Sequence, residues 1–369
     1  MALSGTQSIM DASPRTGVAK AYAALSVAIV LGSYVINAMD RTLFPLILPE
    51  VRGEYGFDLP EAGLMATVFT IGMALAGLPS GYLLTRFTRR FVVQLGIFIF
   101  SAATVVTVLA AGFGDMLAYR AITGIGEAMQ LTALLAIVSS YFARYPGVGI
   151  GAVNCAFGLG AVFGPLLGAT LLAVYGTWRA PMIAFGIIGF AIVVSVFLVH
   201  RTVSEAEPPQ HKAAAMLGGA ATLYNRNTVI LVLLSCIAGL AIFGFLGMYP
   251  TYLREELHFT PANTGTIMSV YGLGVLVSVA GGFLGDRYPA RPVLAASFLV
   301  AAIIGWLLFN GPVDFMTQAV LAFAFGVVFS GAIYVNLAAC HVRAVKGEPS
   351  GLASGIFVTS FYTAASVAG

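Results

Sequence analysis

Four ionisable side chains stand inside stretches of sequence that are otherwise apolar. Asp40 and Arg41 are adjacent between Tyr22 and Leu48, and Arg120 and Glu127 lie within Met116–Tyr141. A charge at the centre of a bilayer costs about 2.5–3.5 kcal/mol on insertion scales, so ionisable residues there mark substrate or ion paths. Neighbours in a helix do not face each other, so Asp40 and Arg41 need partners elsewhere. Counting along each helix from its end near Pro49 or Asp115 puts Arg120 about 8 Å deep, Arg41 about 12 Å, Asp40 about 14 Å and Glu127 about 18 Å. Arg120 and Glu127 share a helix face but are about 10 Å apart, too far to bond. The expected pairs therefore cross between helices: Asp40 with Arg120, and Arg41 with Glu127. Asn37, one turn before Arg41, is placed to hydrogen-bond a ligand. Arg41 keeps its charge and presents a planar fork, which suits it to hold a carboxylate. An anion that takes Arg41 frees its carboxylate partner to accept a proton, so Asp40 and Glu127 are the expected proton-coupling groups and Arg120 the ion-pair partner.

The elements that must position these groups are long and apolar. Hydrophobic residues make up 59% of the 369-residue chain and charged residues only 9%, against about 25% charged in a soluble domain. The expectation is an all-α polytopic membrane protein, because a span needs about 20 predominantly apolar residues and must satisfy its own backbone. After the first stretch follow Ala62–Leu84, Phe91–Phe113, Met116–Tyr141, Val148–Val174, Ala180–Val199, Thr228–Tyr252, Thr264–Leu284, Pro292–Phe309, Phe315–Cys340 and Gly351–Gly369. Residues 1–21 read as a cytosolic tail, 22–200 as a six-helix bundle, 201–227 as a polar cytosolic linker, and 228–369 as a second bundle with five helices present. The tail has no apolar core and does not look like a cleavable signal. Basic residues gather on one side: Arg86, Arg89, Arg90, Arg144, Arg201, Lys212, Arg226, Arg287, Arg291, Arg343 and Lys346, with Arg15 and Lys20 in the tail. The other side holds Arg52, Arg179 and Arg254. That asymmetry predicts a cytosolic N-terminus in a bacterial-type plasma membrane.

The chain also repeats itself. Gly81-Tyr-Leu-Leu-Thr85-Arg86-Phe-Thr-Arg89-Arg90 aligns with Gly282-Phe-Leu-Gly-Asp286-Arg287-Tyr-Pro-Ala-Arg291, and the same offset brings Pro49 onto Pro250 and Pro60 onto Pro261. Two parallel-repeat halves with a central site are expected. The second half stops in its fifth helix, so a twelfth helix is missing or the record is truncated; truncation is the favoured reading. At the repeat offset the four charged positions become Ala241, Ile242, Leu321 and Val328, so the second half offers no charge. It offers polar and aromatic groups such as Tyr249, Tyr271 and Asn336, and these, with Asn154 of the first half, complete the candidate substrate-binding set.

The paired loop segments resemble the G-x-L-x-D-R-x-x-R-R motif of the major facilitator superfamily, and the resemblance covers nearly the whole chain. It implies two six-helix bundles, alternating access, and gating loops at Arg86, Arg90, Asp286, Arg287 and Arg291. In that family the acidic position helps latch the outward-facing state; Asp286 keeps it, whereas Thr85 replaces it in the first copy. Asp40-Arg41 followed by Pro45 and Pro49, together with Arg120-Ala-Ile-Thr-Gly124-Ile-Gly126-Glu127, is similar to the first and fourth helices of the anion:cation symporter branch. Ala128, Met129 and Gln130 depart from that branch, which usually has a proline there. Gly160-Ala-Val-Phe-Gly164-Pro165-Leu-Leu-Gly168 resembles a fifth-helix motif of drug/proton antiporters, although such spacing also serves close helix packing.

Other chemistries lack their residues. Cys155, Cys236 and Cys340 have no metal-ligand spacing. His200, His211, His258 and His341 are read at helix ends or in loops, and no phosphate-binding loop is present. No cofactor, metal or nucleic-acid partner is expected, nor is the chain expected to be an enzyme. The reading is a monomeric secondary transporter in the lipid bilayer that imports a small organic anion with protons. A proton-coupled exporter and a transporter-like solute sensor are the alternatives.

Overall fold

With so little of the chain able to face water, backbone polar groups must be paired within the protein, and apolar stretches of about 20 residues do so as helices. The computed structural model describes residues 14–142, 144–199, 222–259, 261–345 and 350–368. The first half runs α1 (Pro14–Tyr55), α2 (Leu59–Arg86), α3 (Arg89–Thr107), α4 (Phe113–Tyr141), α5 (Pro146–Tyr175) and α6 (Arg179–Val199). The second runs α7 (Arg226–Glu255), α8 (Pro261–Val275), α9 (Ser278–Arg287), α10 (Ala290–Asn310), α11 (Phe315–Phe325), a π-helical stretch (Gly326–Tyr334), α12 (Val335–Arg343) and α13 (Ser350–Ala365). Ten of the described helical spans are long and apolar enough to cross a membrane, and Gly351–Ala365 is a shorter apolar helix. Helix α1 already begins at Pro14, inside the stretch read as a tail. The linker expected at 201–227 falls largely outside the described residues.

Polar side chains mark the helix starts. Asp58 and Glu61 form a capping box at the head of α2, and Thr88, Asn225 and Asp314 cap α3, α7 and α11. Each satisfies an amide that the first turn leaves unpaired. In the first bundle α1 packs on α5 and α6, and α4 lies between α2 and α3. In the second, α13 packs on α7, and α8 on α11 and the π-helical stretch.

The halves meet along two seams, α2 with α13 and α5 with α8 and α9. Both are glycine contacts near the end that carries the basic loops. A Cβ at Gly81 would stand 2.8 Å from the carbonyl of Gly351, and one at Gly151 would stand 2.5 Å from that of Ser278. Gly282, the repeat-mate of Gly81, lies equally close against the backbone of Gly147. Small residues let backbones approach where lipid gives no hydrophobic drive for helix association. Asp286 adds polar glue at the second seam. Its two oxygens accept from the backbone amides of Gly147 and Val148, both at 2.9 Å, and it pairs with Arg343. These amides are orphan donors in the first turn of α5, where the helix dipole also favours a negative charge. Thr85, the first-half counterpart, bonds among the described residues only back to the carbonyl of Tyr82.

At the opposite end Glu54 of α1 ties down the start of α6. It accepts from Arg179 at 2.6 and 2.8 Å and from the Trp178 indole at 2.7 Å. The Arg179 bond, then the Trp178 bond, lower the Glu54 carboxyl from 4.5 to about 2.

Two measurements check this layout. Gly151→Val should destabilise the protein by about 1–3 kcal/mol through overpacking, read as a lower Tm in detergent. Gly305→Val, at a site with nothing within 4 Å of the added carbon, should leave Tm unchanged. The Glu54 contribution is present above pH 4.5 and lost as pH falls toward about 2, because its ionised form is the one bonded in the fold. Both partners are over a third exposed, so Glu54→Gln should flatten that acid limb by under about 1 kcal/mol.

Candidate functional site

Asp40 and Arg41 leave α1 in different directions, and each finds its own surroundings. Arg41 turns toward α4 and the second half. Its Nε and Nη2 both lie 2.8 Å from Glu127 Oε2, its Nη2 donates to Asn37 Oδ1 at 3.1 Å, and its Nη1 donates to the Tyr362 hydroxyl at 2.9 Å. Glu127 is fully buried, whereas the Arg41 side chain keeps 12% of its surface. The Arg41 guanidinium carbon lies 5.4–5.8 Å from the ring centroids of Phe69, Phe157 and Tyr362. Asp40 turns into the first bundle, where the Thr104 hydroxyl lies 3.0 Å from both of its oxygens.

Glycine sets where Glu127 can stand. The backbone of α4 at Gly124 touches that of α2 at Phe69, and a Cβ at Gly126 would stand 2.5 Å from the Phe100 amide nitrogen of α3. A side chain at either position would push a neighbouring helix away and withdraw Glu127 from Arg41. A buried polar chain continues from the pair: Asn37 donates to Gln130 at 2.9 Å, and Gln130 donates to Ser33 at 2.9 Å. Glu127 and Gln130 are one turn apart on α4, so the departure from the branch pattern at Gln130 supplies an amide that holds Asn37.

The pairing expected of Arg120 is corrected. Arg120 makes no ion pair with Asp40 and donates no hydrogen bond among the described residues; its Nε has no partner. It lies instead between two aromatic faces, 4.3 Å from the Phe44 centroid and 4.6 Å from that of Phe69. Thr104 reaches Asp40 first, and the carboxylate turns toward it. Arg120 is still close enough to act on Asp40 through space.

The other candidate residues are dispersed. Asn154 donates to Ser278 Oγ at 2.8 Å and to the Ser330 carbonyl at 2.9 Å, so it links the halves. The π-helical stretch shifts the carbonyl register, as such segments do near functional sites, and Tyr271 bonds the Ser330 hydroxyl at 2.8 Å. Asn336 is spent on the carbonyls of Gly281 and Ala332, and Tyr249 donates to Gln318 inside the second bundle. Arg86 and Arg90 rest on Tyr82 and Phe197 at the surface, and Arg287 and Arg291 are exposed. His341 also departs from expectation. The helix runs on to Arg343, so His341 is buried, 3.0 Å from Ser235. Gly160 and Gly164 press on the Val35–Thr42 turns of α1, which is the packing use of that motif. Tyr362 and Thr104 were not singled out from sequence, because a lone hydroxyl in an apolar helix carries no spacing signal.

The Major Facilitator Superfamily model matches residues 30–369. The chain belongs to that superfamily. It is 26% identical over 294 residues to protein spinster of Drosophila melanogaster, covering 73% of this chain and 47% of that protein, so it spans about half of that relative's length. It is 27% identical over 327 residues to the hexuronate transporter of Bacillus subtilis, covering 81% and 76%. A crystal structure of a human organic anion transporter superposes with a TM-score of 0.70 at 17% identity, covering 93% of this chain and 91% of that one. Superfamily membership and the membrane-length helices make this chain a multi-pass membrane protein, with the Arg41–Glu127 pair in the first half and facing Tyr362 of the second.

Tyr362→Phe removes the hydroxyl that, among the described residues, the second half gives Arg41. It should lower Tm in detergent by an amount equivalent to about 1.5–3 kcal/mol, as expected for a bond to a charged group, while Phe361→Tyr should not restore it.

Proposed function

We propose that the protein imports a small organic anion together with protons by alternating access, with its N-terminus in the cytosol of a bacterial-type cell and the basic loops on the same side. The observation that carries this reading is the Arg41–Glu127 pair. It is a buried ion pair where the first half faces the second; the Tyr362 hydroxyl of the second half accepts a further bond from Arg41, and Glu127 Oε1 has no partner among the described residues. An arriving carboxylate competes with Glu127 for the Arg41 fork. Glu127, displaced inside a dry site, then accepts a proton to avoid standing as an unpaired buried charge. Substrate and proton thereby favour the same state, as linkage requires. Asp40, held by Thr104 on a different face of α1, is the second proton carrier.

The closed glycine seams lie at the basic end, with Asp286 holding the first turn of α5. With that end cytosolic, the arrangement corresponds to the outward-facing state, and opening the seam releases Asp286 and Arg343 together. A hexuronate transporter among the relatives and an organic anion transporter among the similar structures support an anionic solute.

Uptake by the full-length protein in liposomes, with an imposed pH gradient and a panel of monocarboxylates, dicarboxylates and sugar acids, tests the reading. An inward proton gradient should drive accumulation of an anion above equilibrium. Asp40→Asn should abolish that accumulation while leaving exchange of labelled for unlabelled substrate measurable. If a proton gradient instead expels lipophilic cations and no anion accumulates, the reading is wrong and the exporter alternative stands.

A further inference from the structure

Arg120 is 4% exposed, yet among the described residues its guanidinium has no ion-pair partner within 4.0 Å and donates no hydrogen bond, and its buried Nε is unpartnered; Asp40 acts on it only through space. A buried guanidinium loses several kcal/mol of hydration. Aromatic faces at Phe44 and Phe69 return part of that through the ring quadrupole, but they accept none of its N–H groups in the plane of the fork. The geometry that would satisfy them is a carboxylate lying edge-on. Arg41 is different: it spends bonds on Glu127, Asn37 and Tyr362 and is the more accessible of the two. Both cations look onto one ring, Arg120 at 4.6 Å and Arg41 at 5.8 Å from the Phe69 centroid.

We infer that the transported anion is a dicarboxylate with a flat apolar spine, one carboxylate held by Arg41, the other by Arg120, and the spine lying against Phe69. This rests on the proton-symport reading above and deepens it. The charge balance agrees. The empty site holds Arg41 and Arg120 against Asp40 and Glu127 and is neutral. Once Asp40 and Glu127 each take a proton, two cations remain, and a dianion returns the loaded site to neutrality; a monoanion leaves one guanidinium unmatched in a dry interior, which is costly. The spine is apolar because Phe69, Phe157 and Tyr362 surround Arg41, and the nearest amides, Asn37 and Gln130, are bound to each other. Glu127 Oε1 is the free acceptor beside Arg41 among the described residues, so the several hydroxyls of a sugar acid would outnumber their partners there, a loss for each group buried unpaired.

The test is binding and uptake by the full-length protein in liposomes with matched probes: benzene-1,4-dicarboxylate, benzoate, adipate, and the polyhydroxylated diacid glucarate. Benzene-1,4-dicarboxylate should bind about tenfold or more tightly than benzoate, and more tightly than glucarate. Arg120→Gln should collapse the diacid-to-monoacid ratio by about tenfold, and Arg120→Lys should restore part of it. Diacid uptake with two protons should be indifferent to an imposed membrane potential. Equal affinity for diacid and benzoate in the unaltered protein, an equal loss of both in the variants, or potential-driven diacid uptake would each overturn the inference. The comparison within the unaltered protein decides the matter even where Arg120→Gln does not fold. Accumulation of monocarboxylates without diacid preference would sink this inference and leave the symport reading standing, whereas failure to accumulate any carboxylate would remove both.

Discussion

The contact between Arg41 and Glu127 organises the rest of the site because neither group can be left alone where it stands. Removing one partner of a buried pair typically costs 3–5 kcal/mol, so α1 and α4 are held at the separation that keeps the two within 2.8 Å. Glycine at 124 and 126 lets α4 reach that position against α2 and α3. Tyr362 closes the arrangement from the second half. The pair is therefore coupled to the relation between the halves: whatever moves α13 away from α1 removes a bond from Arg41, and whatever occupies Arg41 changes what holds α13.

A second coupling sits at the basic end. The carboxylate of Asp286 satisfies two amides at the head of α5 and pairs with Arg343, while the glycine seams bring the backbones together. None of these contacts is strong by itself. Together they form an interface of closely packed small residues crossed by polar contacts. Asn154 is a third cross-link, seated where the π-helical stretch brings the Ser330 carbonyl within reach. The halves thus share one buried apolar cluster, and a few directional bonds cross between them.

Charge is distributed unevenly between the halves. The first supplies both carboxylates and both guanidiniums, and the second supplies a phenol and rings. This separates the tasks in space. The α1 helix sends Asp40 to Thr104 inside its own bundle and Arg41 to the interface, so adjacent residues face different partners.

Much of the fold was legible in the sequence. The apolar stretches, the basic-loop asymmetry and the Gly81/Gly282 repeat depend on composition and spacing, which a membrane converts almost directly into helices and their order. The intramembrane charges were legible for the same reason: they are expensive wherever they sit, so their presence is a signal before any contact is known. Which charges meet is another matter. Helix spacing placed Arg41 and Glu127 at comparable depths, but it also paired Asp40 with Arg120. That pairing fails because rotation about the helix axis and the side-chain torsions bring Thr104 to Asp40 and two rings to Arg120. Tyr362, the π-helical stretch and the burial of His341 likewise carry no mark in the sequence. Depth and charge are properties of one segment and can be read along it, whereas facing, register and shared partners are properties of several segments at once, and only their packing determines them.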